Sequence, residues 1–154
     1  MISFTREGRL LACASGGGHW IELLRLHPVF AEWDTAYVST FESHSEAVPG
    51  RRLYTLPDAT RFDLAAFPVV AWKALGIVLR ERPCAVVTTG SAPMLFILLF
   101  ARLLGARTLW IDSIAQPNEL ATSARIARRF AHKVVAQWPE AAAKDGVEHW
   151  GAVL

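Results

Sequence analysis

Short apolar runs alternate with longer helical segments along the chain, and this alternation limits the possible folds more than any other feature. Strands that are separated by helices cannot form hairpins, so they pair in parallel through βαβ crossovers. The pattern therefore predicts an α/β fold with a Rossmann-like, doubly wound parallel sheet. Strands are predicted at residues 9–14, 35–40, 52–56, 84–89, 108–111 and 133–137, and helices at residues 19–32, 62–80, 92–104 and 119–130.

The length of 154 residues predicts a single domain that spans residues 1–154. Hydrophobic residues make up 53% of the sequence and charged residues only 19%. Two explanations of this excess stay open: a parallel sheet buried on both faces, or apolar surface that faces a partner chain or a membrane. The longest uncharged apolar stretch, residues 91–101, is shorter than the roughly 20 residues of a membrane-spanning helix. We therefore expect no membrane span.

The charge and the cysteines exclude some classes of protein. A formal net charge of +2 is too small to indicate nucleic-acid binding. One basic cluster at helical spacing is either a solvated helix face or a contact with phosphates or anionic lipid, and it comprises Arg125, Arg128, Arg129 and Lys133. Cys13 and Cys84 lie in apolar runs and are predicted to be buried, free thiols. No secretion signal is recognisable at the N-terminus.

A glycine-rich loop, Ser15-Gly16-Gly17-Gly18-His19, follows the first predicted strand and precedes a helix. Ligands of open α/β sheets bind at the carboxyl ends of the strands, and a helix start offers unpaired N–H groups to a phosphate. The loop matches neither the phosphate-binding Gly-Lys-Ser/Thr pattern nor the dinucleotide fingerprint G-x-G-x-x-G. His19, in the first turn of the helix, is a candidate general base, with a loop-capping residue as the alternative.

Polar and small residues follow the later strands in the same way. Candidate ligand-binding residues are Thr89, Gly90 and Ser91 after the fourth predicted strand, Asp112 and Ser113 after the fifth, and Asn118 at the next helix, where it is alternatively an N-cap. The histidines are too scattered for a metal site, and no G-x-S-x-G serine elbow occurs. We therefore predict no metal and no serine hydrolase chemistry.

These motifs, in this order, resemble the Alg-fourteen-like family, which includes the PssD and EpsE/CpsF types of bacterial polysaccharide proteins. The resemblance covers residues 10–154 and rests on Ser-Gly-Gly-Gly-His, Thr-Gly-Ser-Ala-Pro, Trp-Ile-Asp-Ser and Gln-Trp-Pro-Glu. The layout is also similar to the N-terminal half of the peptidoglycan transferase that adds N-acetylglucosamine to lipid I. The resemblance implies a fold equivalent to the N-terminal, acceptor-binding half of a GT-B glycosyltransferase.

The same resemblance implies roles for individual residues. Gly17, Gly18 and His19 match the family's Gly-Gly-His, which is expected near the diphosphate and the reacting hydroxyl of the acceptor. Thr89 and Gly90 match its Thr-Gly turn. Asp112 stands where many members have glutamate, one methylene longer, and Gly16 replaces a frequent serine. His19 and Asp112 are both expected as candidate bases.

The function implied is the acceptor-side subunit of a two-component glycosyltransferase in capsule or exopolysaccharide synthesis. It would pass a sugar from a UDP-sugar to a polyprenyl-diphosphate-linked saccharide, by an inverting and metal-independent reaction. We expect no cofactor, with the UDP-sugar bound mainly by a separate C-terminal-half subunit. That arrangement would account for a chain that ends soon after Trp150, although a simple terminus would as well.

The resemblance also implies a cytoplasmic location, peripheral on the inner face of the plasma membrane. Membrane contact is expected from residues 67–79 or 93–104, or from the partner subunit, with burial in the core as the alternative for residues 93–104. Two rival functions remain: a non-catalytic membrane scaffold that recruits the catalytic partner, and a nucleotide-binding oxidoreductase domain, against which the missing G-x-G-x-x-G argues.

Overall fold

A computed structural model of the chain describes residues 8–60 and 62–153, in which parallel strands form one sheet with helices on both faces. The strands are β1 (Arg9–Cys13), β2 (Asp34–Ser39), β3 (Leu53–Thr55), β4 (Ala85–Thr88), β5 (Arg107–Ile111), β6 (Lys133–Ala136) and β7 (Glu148–His149). The α-helices are α1 (Gly18–Arg25), α2 (His27–Phe30), α3 (Phe67–Glu81), α4 (Met94–Leu103), α5 (Thr122–Ala127) and α6 (Pro139–Asp145). Two 3-10 helices span Glu42–Ala47 and Leu64–Ala66.

The strand order is β3-β2-β1-β4-β5-β6-β7, which is the doubly wound arrangement predicted from the sequence. The chain moves outward from β1 to β3, returns to the centre, and then builds the other half of the sheet from β4. Leu11 of β1 lies between Ala36 of β2 and Val86 of β4. Between β1 and β4 the order of strand addition reverses, although the strands stay parallel. At such a reversal a crevice opens at the carboxyl ends of the strands, where sheets of this kind bind ligands.

Both faces of the sheet are covered, which explains the near-continuous apolar strands. Trp20 and Leu23 of α1 and Phe30 of α2 pack on one face. Helices α3, α4, α5 and α6 contribute to a larger core on the other. One part of the apolar excess is therefore accounted for by burial.

Prolines set two helix boundaries that the sequence pattern missed. The predicted helix over residues 19–32 is two helices, because Pro28, in the first turn of α2, has no N–H with which to continue α1. The predicted helix over residues 62–80 begins only at Phe67, since Pro68 occupies its first turn. Residue 61 lies outside the described residues.

Three other expectations differ from the structure. Cys13 is buried as predicted, but Cys84 is exposed, because β4 begins one residue later at Ala85. The basic cluster is divided, since Arg125 pairs with Glu119 and Lys133 pairs with Glu148, whereas the side chains at 128 and 129 are exposed. Helix α6 and strand β7 were not predicted.

A second part of the apolar excess is exposed on and before α3. The exposed fractions are 80% for Phe62, 67% for Leu64, 50% for Val69 and 77% for Trp72. We call these four residues the α3 apolar face. Among residues 8–60 and 62–153, no helix combines the length and the hydropathy that crossing a bilayer requires.

Glu81, at the end of α3, joins this helix to the edge strand β3. Its buried carboxylate accepts hydrogen bonds from Arg52 Nε at 3.0 Å and from the Tyr54 hydroxyl. Burial alone would raise the pKa of Glu81, but these hydrogen bonds and the charges of Arg52 and Arg9 lower it below the ordinary value. The folded state therefore favours the ionised carboxylate.

We predict that Glu81→Ala lowers the free energy of unfolding by about 2–3 kcal/mol at pH 7, because Arg52 and Tyr54 lose a buried partner. Because the folded-state pKa of Glu81 is lowered, its stabilisation is complete above the ordinary value of 4.5 and is lost as the pH falls through the folded-state pKa. Urea titrations between pH 3 and 7 measure this. Glu81→Gln should flatten that acid limb, and an unchanged limb would contradict the assignment. Glu140→Ala, on an exposed position of α6, is the control.

Candidate functional site

The loops that follow β1 and β4 are joined at the carboxyl edge of the sheet. The glycine loop is residues 15–19, and the residues after β4 are Thr89, Gly90 and Ser91. The Ser15 N–H donates to the Gly90 carbonyl at 2.8 Å, and the Thr89 N–H donates to the Cys13 carbonyl at 3.2 Å. The structure thus brings together six of the predicted ligand-binding residues in the crevice, namely Ser15, Gly16, Gly17, Gly18, Thr89 and Gly90, with Ser91 at its border.

His19 is fixed by two hydrogen bonds to Thr89. Its Nδ1 lies 2.8 Å from the Thr89 carbonyl oxygen, and the Thr89 hydroxyl donates to the His19 carbonyl at 2.6 Å. A carbonyl oxygen only accepts, so Nδ1 carries the proton and donates it. In the neutral imidazole the lone pair is then on Nε2, which is the tautomer that a general base on this nitrogen requires.

The backbone of Gly90 packs against the imidazole ring of His19. A Cβ at this position would lie 3.1 Å from both Cε1 and Nδ1 of His19 and 3.6 Å from the Trp110 ring. The backbone at Gly90 has φ +107°, a conformation that side chains rarely adopt, and its peptide bond to Ser91 is cis. The positive φ therefore requires glycine here, and a Cβ would also press on the imidazole ring, which packs directly on the Gly90 backbone.

Asp112, the other candidate base, is 3% exposed at the end of β5. Its Oδ2 accepts the Ala121 N–H at 2.9 Å, which ties the start of α5 to the sheet. Burial raises the pKa of Asp112, opposed by backbone hydrogen bonds from Ala121 and Ser113, by a side-chain hydrogen bond from Trp110 and by the charge of His19. Asp112 is thus close enough to His19 to interact with it electrostatically, but its carboxylate is used in holding a loop.

The two remaining predicted residues lie in that loop and are not gathered around His19. Ser113 is 8% exposed, and its hydroxyl accepts the Ala115 N–H at 3.1 Å. Asn118 is exposed and is not an N-cap, because α5 begins at Thr122 with Ala121 as its cap residue. The predicted helix start at residue 119 was wrong, since residues 113–120 form a loop fastened by Asp112.

Glu22 was not selected from the sequence, and Gln137 was noted only as the start of the Gln-Trp-Pro-Glu strand end, yet the two residues connect the elements around the site. Glu22 Oε1 accepts the Ile114 N–H at 2.7 Å and the Gln137 side-chain amide at 3.2 Å. The same amide nitrogen donates to the Asp112 carbonyl at 2.9 Å. For Gln137 the signal was its position at the end of the last predicted strand; for Glu22 it was spacing, because Glu22 is three residues after His19 and therefore on the same face of α1.

Buried polar atoms without hydrogen-bond partners occur near this edge. Within the described part of the chain they include Glu22 Oε2 and Thr40 Oγ1. Thr40 directly follows β2, whereas the buried side chain of Trp110, beside Gly90, interacts with the Asp112 carboxylate. Unpaired buried groups are uncommon, and their occurrence at a sheet edge is typical of a site that takes up water or a ligand.

An apolar groove begins beside the joined loops. It has a volume of about 640 Å³ and lies between α3, α4 and α5. Its polar lining residues are Asp58, Thr60, Ser91, Thr122 and Ser123, and its larger apolar side chains are Phe67, Leu95, Phe96, Leu99, Ile126 and Phe130. Gly90, in contact with His19, is followed directly by Ser91, which lines the groove. A polar crevice and an apolar groove therefore meet at one turn.

The chain is similar to known proteins in its structure. No sequence-family profile and no curated protein matches the chain. MurG from Acinetobacter baumannii superposes with a TM-score of 0.70 and 19% identity, over 86% of this chain and 42% of MurG. UDP-N-acetylglucosamine 2-epimerase from Rickettsia bellii gives 0.69 and 12%, over 90% of this chain and 42% of the epimerase.

Anabaena Alr3699/HepE, solved in complex with UDP, gives a TM-score of 0.60 at 13% identity, over 90% of this chain and 41% of that protein. The chain thus spans about two fifths of the length of each of these three structures. The likeness confirms the predicted fold class. The chain has a glycosyltransferase-like fold, a Rossmann-like doubly wound parallel sheet equivalent to the N-terminal half of a GT-B protein.

Proposed function

We propose that this chain is the acceptor-side subunit of a two-component glycosyltransferase in capsule or exopolysaccharide synthesis. It receives a polyprenyl-diphosphate-linked saccharide and adds a sugar from a UDP-sugar. The observation that carries the proposal is the meeting of His19, the glycine loop and the apolar groove at the turn around Gly90. A polyprenyl-linked sugar has the same three parts: a reacting hydroxyl, a diphosphate and an apolar chain.

In the proposed reaction, His19 Nε2 accepts the proton of the acceptor hydroxyl while the hydroxyl oxygen attacks the anomeric carbon of the UDP-sugar. The bond from that carbon to the UDP oxygen breaks, UDP leaves, and the anomeric configuration inverts. The N–H groups of the first turn of α1 have no partner within the helix and are free to bind the acceptor diphosphate. No metal and no cofactor enters the step.

His19 is the proposed base, and Asp112 a positioning residue. The imidazole is half-buried and already in the required tautomer through its bond to Thr89. The Asp112 carboxylate, in contrast, is almost wholly buried and accepts a backbone hydrogen bond from Ala121. A buried carboxylate with a structural partner is poorly suited to reach a substrate hydroxyl.

The apolar groove is the proposed site of the first isoprene units. Its volume of about 640 Å³ lies within the range of about 300–1,000 Å³ that small-molecule pockets have. Helix α4, one of the two predicted membrane-contact segments, lines this groove through Leu95, Phe96 and Leu99. In this proposal, some apolar side chains of α4 form the core and others bind the prenyl chain.

The α3 apolar face is the proposed contact with the inner face of the plasma membrane, where the protein is peripheral and cytoplasmic. Trp72 and Val69 project from α3, and Lys73 and Arg80 on the same helix are exposed. Exposed aromatic and aliphatic side chains beside cations are typical of helices that lie in an anionic membrane interface. The groove opens between this helix and α4 and α5, which suits an acceptor delivered from the bilayer.

The proposed partner is a separate subunit equivalent to the C-terminal half of a GT-B glycosyltransferase, which binds most of the UDP-sugar. A non-catalytic scaffold remains the competing function, and loss of activity on substitution of His19 distinguishes the two.

We predict that His19→Ala lowers the transfer rate by about 10²–10⁴-fold, the contribution of a general base, when the chain is assayed with its partner subunit. Asp112→Asn should lower the rate much less than His19→Ala, because its amide oxygen still accepts the Ala121 N–H, although its nitrogen cannot accept from Ser113 or Trp110. The measurement is incorporation of label from UDP-N-acetylglucosamine, UDP-glucose and UDP-galactose into bacterial membrane lipids. Full activity in His19→Ala would contradict catalysis by this chain and favour the scaffold.

We predict that Ile126→Asp, which places a charge in the groove, impairs use of acceptors with long prenyl chains much more than acceptors with short ones. Ile126 is 43% exposed, so the fold should tolerate the substitution. KM is measured for two acceptors that differ only in chain length. Leu103→Asp, at an exposed position of α4 that does not line the groove, is the matched control. Equal effects on both acceptors would exclude the groove as the prenyl site.

A further inference from the structure

Phe41, two residues after the end of β2, lies directly on the glycine loop. A Cβ at Gly16 would be 2.1 Å from Cε2 and 2.7 Å from Cδ2 of the Phe41 ring. These distances are far shorter than any real carbon–carbon contact, so glycine at position 16 is what allows the ring to be there. Despite this contact, Phe41 is 49% exposed. One part of the ring packs on the loop, and the rest is open.

The ring is held in place by its neighbours. The Phe41 N–H donates to the Ser39 hydroxyl at 3.2 Å, and the Phe41 and His44 rings are 5.3 Å apart at an interplanar angle of 55°. His44 in turn stacks on Trp20 at 4.4 Å and 8°, and its Nδ1 is 2.5 Å from the Ser39 hydroxyl oxygen. We call Trp20, His44 and Phe41 the aromatic stack. It packs the half-exposed Phe41 ring against His44.

The aromatic stack is adjacent in sequence to residues of the proposed active site. Trp20 is the neighbour of His19 in α1, and Gly16 belongs to the same loop as the amides proposed to bind the diphosphate. Thr40, the residue before Phe41, has a buried hydroxyl without a hydrogen-bond partner in the described part of the chain. An exposed ring and an unsatisfied hydroxyl thus adjoin each other at the border of the crevice.

We propose that Phe41 packs against the sugar ring of the acceptor and determines which acceptor sugars are used. This inference rests on the proposed function. A sugar joined to a diphosphate at the glycine loop, with its hydroxyl at His19, lies within the crevice that Phe41 borders. The apolar C–H face of a pyranose gains by covering an aromatic ring that is otherwise half in water. Phe41 is therefore a specificity-determining residue, and it takes no part in proton transfer.

The test compares binding of two probes, geranylgeranyl diphosphate and the same lipid with N-acetylglucosamine on its diphosphate, by isothermal titration calorimetry. Phe41→Ala should weaken binding of the glycosylated probe about tenfold, the loss expected when roughly half of a phenyl side chain no longer becomes buried. Binding of the plain diphosphate should stay unchanged. Phe41→Trp should restore the preference, and Val29→Ala, on α2, serves as the control for truncating an exposed apolar side chain.

A second variant separates the position of the ring from its presence. Gly16→Ala introduces the Cβ that would collide with Phe41, so it should displace the ring and reduce the preference for the glycosylated probe. In the double variant Gly16→Ala/Phe41→Ala the two losses should not add, because both remove the same contact. Thermal unfolding of each variant establishes that it is folded.

The outcomes are distinguishable. Equal weakening of both probes in Phe41→Ala, or no change in either, overturns the role of Phe41 and leaves the proposed function intact. A wild-type chain that binds neither probe overturns the proposed function and the role of Phe41 with it. Selective loss of the glycosylated probe in Phe41→Ala and its recovery in Phe41→Trp support the proposal.

Discussion

Strands β1 and β4 lie side by side at the centre of the sheet, and backbone hydrogen bonds from Ser15 to Gly90 and from Thr89 to Cys13 extend their pairing beyond the strands. This junction determines the positions of the loops and helix starts at the carboxyl edge of the sheet. It places the start of α1 against the turn after β4, and hence His19 against Gly90. It also places Ser91 at the entrance of the apolar groove. The crevice and the groove are adjacent because one turn serves both.

Most of the fold was predictable because a buried parallel sheet has a distinctive sequence pattern. Each predicted strand is present, within two residues of its predicted ends. Helix boundaries were less predictable, since hydrophobic periodicity continues across Pro28 although the hydrogen bonding of α1 cannot. The late start of α5 depends on the Asp112 carboxylate, whose contact with Ala121 joins residues nine positions apart. Periodicity carries no information about such a contact.

The candidate site was predictable in location and only partly in composition. Strand-end position identified the glycine loop, Thr89 and Gly90, because every parallel strand delivers its carboxyl end to the same edge. The contribution of Glu22 depends on bonds to Ile114 and Gln137, which are distant in sequence. The contact of Phe41 with Gly16 is equally non-local. Residues of both kinds become recognisable only when the sheet has brought their partners together.

The paired hydrogen bonds between His19 and Thr89 have a consequence for how the site is reset after each turnover. Because Nδ1 is engaged with a carbonyl oxygen, the imidazole has no second exit for a proton. In the proposed reaction a proton accepted at Nε2 must leave from Nε2. The nitrogen that accepts the proton from one acceptor hydroxyl is thus the same nitrogen that must give it up before the next acceptor can react.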